Sequence, residues 1–560
     1  MAGEASLFDA IVVGSGASGG WACKRLAEAG LKVAVLEVGA PQPDANFTEH
    51  VPAFELEYRN RAPEIVRQTR PIQSHMACDE YNYKWFCNDI DEPYTTPPDR
   101  PYLWLARLRR TGGRTNSWGR VSLRFSDLDF KAASRDGYGE NWPLSYSDLK
   151  PYYELVEDYV GVIGLAEGLP HLPDSNFLPP MALDCQEVLF RNRVKEKLGR
   201  TATPTRAANL TRPLHGRAPC HYCGPCYRGC ITHSYFNSSF TTMADALHTG
   251  KCTLISNAMV YQVKMDQDGK RARSITYIDR NTHQVHEIRG RAVILCAQSF
   301  ESARILLNSA DERYPNGLAN SSGALGHYLM AHIRNAGGSG ELPAFGATPS
   351  LGGPKRPVDG IYIARFRNIE NVPPSKDFLR GYGYEGGGFL RNDLQAPGYG
   401  EAYKKAVLDP LAGVSFTGFG EVLARFDNFV EIDPKVKDRW GIPVLHISMA
   451  DGPNEKAMSK DIAESLGEML EASGAKNIRT YANPSNGRWA AHEAGLARMG
   501  NDPKTSVLNQ YQQSHDIRNL FVMDASGFAT NPCQNPTLTI MALCVRSCDY
   551  LMGEMKRGNV

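Results

Sequence analysis

Hydrophobic and polar positions near the start of the chain follow the pattern of a strand, a helix and a second strand. Residues 8–39 begin with an apolar run, pass through a glycine turn into an amphipathic helix, and end in another apolar run. Continuous apolar runs are typical of strands buried on both faces, so the segment predicts one βαβ unit. A further buried strand is predicted from Ala292, and a helical pattern follows it at Glu301.

The middle of the chain has a different pattern. Residues 41–110 are rich in Pro, Asn, Asp and aromatic residues without a clear period, which favours an excursion or lid. Residues 337–420 are rich in Gly, Pro and aromatic residues with short strand-like runs, which predicts an inserted antiparallel sheet. One helix is predicted from Asn454. The last helix is predicted to start at Pro536, with Asn535 as its N-cap.

Composition and charge narrow the classes of partner. The chain has 62 basic and 61 acidic side chains, so its net charge of +1 gives no basic surface for nucleic acid or an anionic membrane. No run reaches the ~18 apolar residues of a membrane-spanning helix, and nothing before Phe8 resembles a secretory signal. These features predict a neutral small molecule as the partner. The thirteen cysteines are an odd number, so metal ligation is considered.

A glycine-rich turn lies between the first strand and the first helix. Gly14, Gly16 and Gly19 form G-x-G-x-x-G, and Glu37 ends the second strand. In this context Gly14 allows the tight turn, Gly16 lets the backbone approach a pyrophosphate, and Gly19 permits close packing of helix on strand. A carboxylate at the position of Glu37 accepts hydrogen bonds from the ribose hydroxyls. We therefore predict a dinucleotide site rather than a structural turn.

Six further blocks make the sequence similar to the glucose-methanol-choline (GMC) oxidoreductases over nearly its whole length. The blocks occur in the order typical of that family: TGGRTNSWGR from Thr111, WPLSYSDLKPYY from Trp142, GLANSSGALGHYLMAH from Gly317, NFVEIDPKVKDRWGIP from Asn428, HEAGLARMG from His492 and LFVMDASGFATNPCQNPTLTIMAL from Leu520. The resemblance implies that the dinucleotide is FAD.

The resemblance also implies the fold class and the domains. We expect an α/β protein in which a Rossmann-like FAD-binding domain carries an inserted antiparallel-sheet substrate domain. Residues 1–335 are the first part of the FAD-binding domain, including the lid excursion 41–110 and a cysteine loop at 219–231. Residues 336–510 are the substrate-binding domain, and residues 511–560 are the last part of the FAD-binding domain.

The family's catalytic pair corresponds to His492 and Asn535. By this resemblance His492 is the base that takes the hydroxyl proton while a hydride leaves the alcohol carbon, and Asn535 hydrogen-bonds the same hydroxyl. Without the resemblance, a lone histidine such as His492 is more often a core or loop residue, and Asn535 is more often simply a helix N-cap. A helix starting at Pro536 directs its positive end toward the flavin and stabilises the reduced, anionic ring.

The remaining cofactor contacts are implied in the same way. Some sugar-oxidising relatives attach the flavin covalently to a histidine, and Ser117 occupies that position here, so we expect non-covalent FAD. The residues expected to contact FAD, besides the glycine turn and Glu37, are Gly112, Gly113, Asn116, Trp118, Asp524, Pro536 and Thr537.

Four cysteines form the sharpest motif outside the flavin site. Cys220, Cys223, Cys226 and Cys230 have the spacing C-x2-C-x2-C-x3-C, with which a tight loop wraps an iron-sulfur cluster. A zinc site with His221 or His233, and a loop without metal, are the alternatives. The family's sugar dehydrogenases carry a related loop with a 3Fe-4S cluster. That resemblance favours Cys220, Cys226 and Cys230 as ligands, and a 4Fe-4S cluster would add Cys223.

The resemblance, together with the cysteine loop, implies an FAD-dependent sugar dehydrogenase of the glycoside 3-dehydrogenase type. We expect oxidation of a glycoside or glucose hydroxyl at C3 to the keto sugar, with electrons leaving through the cluster to a cytochrome c-type acceptor. A small subunit bearing the export signal would carry the chain to the periplasm, and the cytoplasm is the alternative location. The alternative functions are an FAD-glucose dehydrogenase acting at C1, a pyranose or glycoside oxidase using oxygen, a hydroxynitrile lyase, and a non-catalytic electron-transfer or scaffold subunit.

Overall fold

The computed structural model describes residues 7–345, 356, 360–391, 398–408, 411–483, 488–490 and 492–560. Its strands are β1 Phe8–Val13, β2 Val33–Glu37, β3 Tyr102–Trp104, β4 Ala202–Pro204, β5 Cys252–Ser256, β6 Ala258–Met265, β7 Ala272–Asp279, β8 Val285–Leu295, β9 His332–Ile333, β10 Ala336–Glu341, β11 Ile361–Ile363, β12 Tyr382–Arg391, β13 Leu411–Glu421, β14 Phe429–Lys437, β15 Pro443–Ser448, β16 Lys476–Ala482, β17 Arg488–Ala490 and β18 Leu520–Val522.

The α-helices connect and cover these strands. They are α1 Ala17–Glu28, α2 Pro63–Thr69, α3 Asp127–Phe130, α4 Ala132–Asp136, α5 Tyr146–Val160, α6 Cys185–Leu198, α7 Thr242–His248, α8 Ser299–Leu307, α9 Gly400–Leu408, α10 Pro453–Ser473 and α11 Thr537–Lys556. None of the described helices combines the length and the apolarity needed to cross a membrane.

The first sheet is the Rossmann-like sheet predicted from the N-terminal βαβ unit. Its strands run in the order β5, β2, β1, β8, β7, β6, and β18 also pairs with β8. The pairs β5/β2, β2/β1, β1/β8 and β18/β8 are parallel. The pairs β6/β7 and β7/β8 are antiparallel. Val12 lies opposite Val35 on one side and Ile294 on the other, and all three side chains are fully buried. Burial on both faces explains the unbroken apolar runs.

The second sheet is antiparallel, as predicted. Its strands run in the order β16, β10, β13, β12, β11, β4, with β9 paired to β13. Glycines allow close approach of its central strands, since a Cβ at Gly386 would overlap the Ser415 carbonyl of the next strand. Helix α10 packs its apolar stripe, which includes Ile462 and Leu466, in the core of this sheet. The helix begins at Pro453, one residue before the predicted start.

The two sheets draw on interleaved parts of the chain. Strand β4 belongs to the antiparallel sheet although it precedes residue 335. In the other direction, Ala494, Met499 and Leu508 pack in the core that contains β1 and β2. The domain boundaries given by the sequence stay a prediction.

The excursion at residues 41–110 is ordered around a small core of its own. Val66, Trp85, Phe86 and Leu108 are buried together there. The excursion then returns through β3, which pairs in parallel with β17. The excursion therefore contains packed elements that its irregular sequence pattern did not indicate.

The C-terminal helix α11 differs from the prediction at its first turn. Its N-cap is Pro536, whose carbonyl accepts a hydrogen bond from Ile540 N at 2.9 Å. Because the residue that accepts the first helical bond is the N-cap, the assignment of Asn535 to that position is wrong by one residue. The proline ring already holds its φ at −80°, close to a helical value, so the helical turn includes it.

Candidate functional site

A deep cleft opens at the carboxyl ends of the parallel strands β1, β2 and β8. It encloses ≈ 1360 Å³ of space, part of it open to solvent. Several parts of the chain line it: the glycine turn, Glu37, residues 104–109 of the excursion, residues 296–299, His492, Asp524 and the start of α11. A cleft at this edge of a parallel sheet is the usual position of a nucleotide cofactor.

The glycine turn fits the roles predicted for it. Gly14 has φ +95°, and a Cβ there would lie 2.5 Å from the Cys296 carbonyl oxygen. Gly16 lines the cleft, and the nearest atom to an added Cβ is Gly112 O at 3.9 Å. A Cβ at Gly19 would overlap the Gly14 carbonyl, so Gly19 permits the close packing of helix on strand. The positive end of α1 is therefore open to an anionic ligand.

Glu37 lies at the end of β2 and lines the cleft. Its carboxylate accepts hydrogen bonds from Ser15 Oγ at 2.6 Å, from Ser15 N at 3.1 Å and from Gly39 N at 2.7 Å. Burial raises the pKa of Glu37, against the lowering effect of these donors. Ser15, which the sequence did not single out, also accepts from Gly112 N at 3.0 Å and so joins the two turns.

The second turn, residues 111–118, faces the glycine turn across the cleft. Gly112 and Gly113 both have positive φ, and Gly113 lies against Gly16. Gly113 and Trp118 line the cleft. Asn116 instead closes its own turn, since its Nδ2 donates to the Thr111 and Gly113 carbonyls at 3.0 and 2.9 Å. The expected contact between Asn116 and the cofactor stays a prediction, and this structure gives its side chain a positioning role.

A buried network of ion pairs forms the wall contributed by the excursion. Arg109 pairs with Glu92 at 2.8 Å and with Glu301 at 2.7 Å, and Arg280 pairs with Glu92 at 3.0 Å. Burial alone would raise the pKa of Glu92, but the charges of Arg109, Arg280 and Arg107 outweigh it and lower the pKa to about 2. No local pattern indicated this network, because its members lie far apart along the chain.

The opposite wall comes from the last part of the chain. Asp524 accepts hydrogen bonds from Ser302 Oγ at 2.6 Å and from Ser526 N at 2.9 Å, and burial raises its pKa. Pro536 and Thr537 line the cleft at the first turn of α11. The partially positive end of this helix therefore faces the cleft, as the sequence predicted.

His492 projects into the cleft and forms a pair with His332. The two Nδ1 atoms are 3.0 Å apart, and His332 Nε2 lies 2.6 Å from the Pro532 carbonyl oxygen. A carbonyl only accepts, so His332 carries its proton on Nε2, and its neutral ring accepts at Nδ1. His492 must then donate from Nδ1, and we assign its Nε2 as the unprotonated nitrogen.

The surroundings of His492 keep it neutral. Burial lowers its pKa well below the usual value, and positive charge on Arg334 and Arg114, and on His332 whenever its ring is protonated, lowers it further. Its backbone is held by Asn531 Nδ2, which donates to the His492 carbonyl at 2.9 Å, and by the neighbouring ion pair of Arg114 and Glu493 at 2.6 Å. The sequence did not point to these contacts, although Arg114 and Glu493 lie in two of the family-like blocks.

Asn535 precedes the cleft-lining residues Pro536 and Thr537. Its side chain is buried, and its Oδ1 is without a hydrogen-bond partner among the described residues. A buried unpaired acceptor is costly to a protein unless a ligand or water satisfies it. This orphaned atom is therefore suited to receive a hydroxyl of a bound molecule.

The cysteine loop folds against the back of the second turn. Cys226 and Cys230 are buried, Cys220 and Cys223 are partly exposed, and all four are free thiols. The pKa of Cys226 is raised to about 12, mainly by burial and also by the nearby Cys220, Cys230 and Cys223, while the charge of Arg120 opposes this rise. Tyr222 N and Ser234 N lie 3.3 and 3.2 Å from the sulfurs of Cys220 and Cys230. Thiols in such a setting keep their protons, and a metal core would supply the positive charge that stabilises them as thiolates.

One side chain joins the cysteine loop to the flavin site. Tyr235 packs with Cys226 and Cys230 and donates a hydrogen bond to the Asn116 carbonyl at 3.1 Å. The next residue, Phe236, accepts a hydrogen bond from Trp118 Nε1 at 2.9 Å. The loop is therefore in direct contact with the turn that lines the cleft.

The cleft fits FAD. It offers a glycine turn without side chains at a helix N-terminus, a carboxylate at the end of the second strand, and a histidine whose pKa is lowered by burial. The buried acceptor of Asn535 directly precedes the cleft-lining Pro536. The fold and the site together define an oxidoreductase that uses a dinucleotide cofactor.

The chain belongs to the GMC oxidoreductase family, whose models match residues 9–334 and 424–544. It is 30% identical to 2-methyl-1,2-propanediol dehydrogenase of Mycolicibacterium austroafricanum, over 98% of this chain and 96% of that protein. It is 26% identical to the fructose dehydrogenase large subunit of Gluconobacter japonicus over 100% of both chains. It is 25% identical to the gluconate 2-dehydrogenase flavoprotein of Pantoea cypripedii, over 97% of this chain and 93% of that one.

A solved structure agrees with the fold. Pyridoxine 4-oxidase from Mesorbium loti superposes with a TM-score of 0.61 at 15% identity, covering 98% of this chain and 99% of that chain. The predicted fold class, a Rossmann-like FAD-binding domain with an antiparallel-sheet substrate domain, is confirmed. The protein is an FAD-dependent oxidoreductase acting on CH-OH donors.

Proposed function

We propose that the protein is a dehydrogenase that oxidises a hydroxyl group of a sugar, a glycoside or a small polyol. The observation that carries the proposal is the close pair of His492 and His332 at the cleft, with 3.0 Å between their Nδ1 atoms, from which we assign a neutral His492 with Nε2 unprotonated. A hydroxyl group that loses a hydride from its carbon must also lose its proton, and this nitrogen is suited to accept it.

The residues of the chain divide the work in this mechanism. FAD, when bound, supplies the hydride acceptor. His492 Nε2 accepts the hydroxyl proton, and Asn535 Oδ1 accepts a hydrogen bond from a neighbouring hydroxyl of the substrate. The start of α11 stabilises negative charge in the cleft. Glu493 and Arg114 hold the His492 segment in place.

The relatives support a substrate with several hydroxyl groups. The names of two of them refer to 2-methyl-1,2-propanediol and to fructose, and both compounds carry hydroxyls on adjacent carbons. One hydroxyl can then react at His492 while its neighbour contacts Asn535. Oxidation of a glycoside or glucose at C3 is our specific proposal. A short vicinal diol is the second candidate, because the relative that oxidises one is 30% identical over nearly the whole chain.

We further propose that the cysteine loop holds an iron-sulfur cluster. Cys220, Cys226 and Cys230 would be its ligands, and a cluster there carries single electrons. The contact from Tyr235 to the turn of residues 111–118 supports an exit for electrons at this side of the flavin site. An external acceptor and an exported partner subunit complete this proposal. One relative is named as the large subunit of fructose dehydrogenase, which supports the proposal of a partner subunit.

The experiment is an anaerobic screen of sugars, glycosides and diols with an artificial electron acceptor, followed by identification of the product. His492→Ala is expected to keep FAD and to lower turnover with the best substrate by at least ~100-fold. Electron paramagnetic resonance and iron analysis of anaerobically purified protein test the cluster. Near-normal turnover of the flavinated variant contradicts the role of His492. Absence of iron contradicts the cluster without affecting the rest.

A further inference from the structure

Two histidines and one cysteine converge where the excursion meets the cysteine loop. The side chains are His50 from the excursion and His221 and Cys223 from the loop, and their ligand atoms all lie within 4.8 Å of one another. The two Nε2 atoms are 3.0 Å apart. No other trio of His, Cys, Asp or Glu among the described residues reaches this proximity.

We propose that His50 Nε2, His221 Nε2 and Cys223 Sγ bind one Zn²⁺-class transition-metal ion, with water in the fourth position. Two imidazoles and one thiolate form a donor set that borderline-soft divalent ions prefer. Both histidines are exposed and the cysteine is partly exposed, so an ion can enter from solvent and keep a bound water.

The separations suit one small ion. With Zn–N distances of about 2.0–2.1 Å, a tetrahedral ion sets its nitrogen ligands about 3.3 Å apart. The observed 3.0 Å between the Nε2 atoms is close to that value. The sulfur would lie about 3.6 Å from each nitrogen in the same geometry. Rotation of the side chains brings atoms already within 4.8 Å of one another to these distances.

The backbone holds the two segments together before any ion binds. Thr48 N donates to the Arg228 carbonyl at 2.8 Å, and Ile231 N donates to Glu49 Oε1 at 2.6 Å. His221 Nδ1 lies 3.4 Å from Thr232 Oγ1, which leaves its Nε2 toward His50. A hydrogen bond at the far nitrogen is the usual way of orienting a ligating histidine.

The site is compatible with the proposed cluster and independent of it. A cluster held by Cys220, Cys226 and Cys230 leaves Cys223 for the ion. The metal site would fasten the start of the excursion to the loop. Because residues 104–109 of the same excursion line the cleft, the ion would stabilise the wall around the cofactor.

The test is calorimetric titration of Zn²⁺ into the chelator-treated holoprotein, with X-ray absorption at the zinc edge. We expect one ion per chain, bound by nitrogen ligands and a single sulfur. His50→Ala and Cys223→Ser should each weaken binding by about 100-fold or more, because each removes one of three protein ligands. His75→Ala is the matched control, since His75 is an exposed histidine of the same excursion, and it should bind as the wild type does.

Bound zinc should also raise the midpoint of thermal unfolding in the wild type and the His75→Ala variant, but not in His50→Ala. Three outcomes would overturn the proposal: no binding, a zinc shell containing several sulfurs, or equal binding by the wild type and His50→Ala. Loss of the iron signal in Cys223→Ser with unchanged zinc binding would also overturn it, because Cys223 would then be a cluster ligand. None of these measurements uses the electron-acceptor assay, so failure of the zinc site can be distinguished from failure of the proposed activity.

Discussion

The pairing of His332 with His492 predicts that a residue outside the catalytic pair sets the state of the base. The perturbation is His332→Leu, which removes the acceptor at 3.0 Å from His492 Nδ1 and keeps an apolar side chain in its place. Without that acceptor, the proton on Nδ1 is buried and unpaired. The tautomer with its proton on Nε2 then competes, and that tautomer is unable to accept the substrate proton.

The structure gives the size and direction of the effect. Leaving one buried donor unsatisfied costs about 1–3 kcal/mol. Since about 1.4 kcal/mol changes a rate tenfold, we expect kcat/KM to fall by roughly 10- to 100-fold. Burial, the largest cause of the lowered pKa of His492, is kept by the leucine. Competition between the two neutral tautomers is independent of pH, so the loss should appear in the plateau of the kcat/KM profile.

The assay is kcat/KM against pH, with the substrate from the anaerobic screen and with flavin content measured for every variant. His332→Gln should recover part of the activity, because its amide oxygen can accept from His492. His327→Leu is the matched control, since His327 lies in the same segment but stacks on Phe426, with ring centroids 3.7 Å apart. A fully flavinated His332→Leu protein with the plateau kcat/KM of the wild type would refute the reasoning.

Three further predictions follow from the cleft and its walls. Gly14→Ala should lower the midpoint of thermal unfolding, because the φ angle of Gly14 is +95° and Cys296 O would lie 2.5 Å from the new methyl group. Gly16→Ala should fold normally, because its new methyl group would lie 3.9 Å from the nearest atom, and it should bind FAD about 10-fold more weakly. Equal stability of the two variants would contradict this. Glu92→Gln should lower the free energy of unfolding by about 3–5 kcal/mol at pH 7. The difference in stability between wild type and variant should shrink as the pH falls from 4.5, the ordinary pKa of a glutamate, toward about 2, where the wild-type carboxylate becomes protonated. Denaturant unfolding at several pH values measures this difference, and a difference independent of pH would oppose the prediction. Acid precipitation should release all the flavin into the supernatant, because Ser117 offers no covalent attachment, and yellow precipitate would argue against that.

Local patterns accounted for much of the fold. The apolar runs at Phe8 and Ala292 predicted strands that the structure buries between neighbours on both sides. The glycine turn could be assigned residue by residue, because each glycine answers a local steric demand. Helix α10 was predicted to within one residue at its start. At α11 the N-cap prediction failed by one residue, because proline at position 536 is itself compatible with a helical turn.

The sequence by itself determined a dinucleotide site, three strands of the first sheet and four candidate metal ligands, since short-range spacing and burial periodicity encode these features. The candidate base and the choice of FAD came from the family resemblance. Only the tertiary structure decided what surrounds them. His332 reaches His492 from 160 residues away, Glu92 meets Arg280 across 188 residues, and His50 meets His221 across 171. Such contacts depend on how separate elements pack, and the local pattern of hydrophobic and polar residues does not indicate them. For that reason the protonation of the base, the charged wall and the second metal site became visible only in the folded chain.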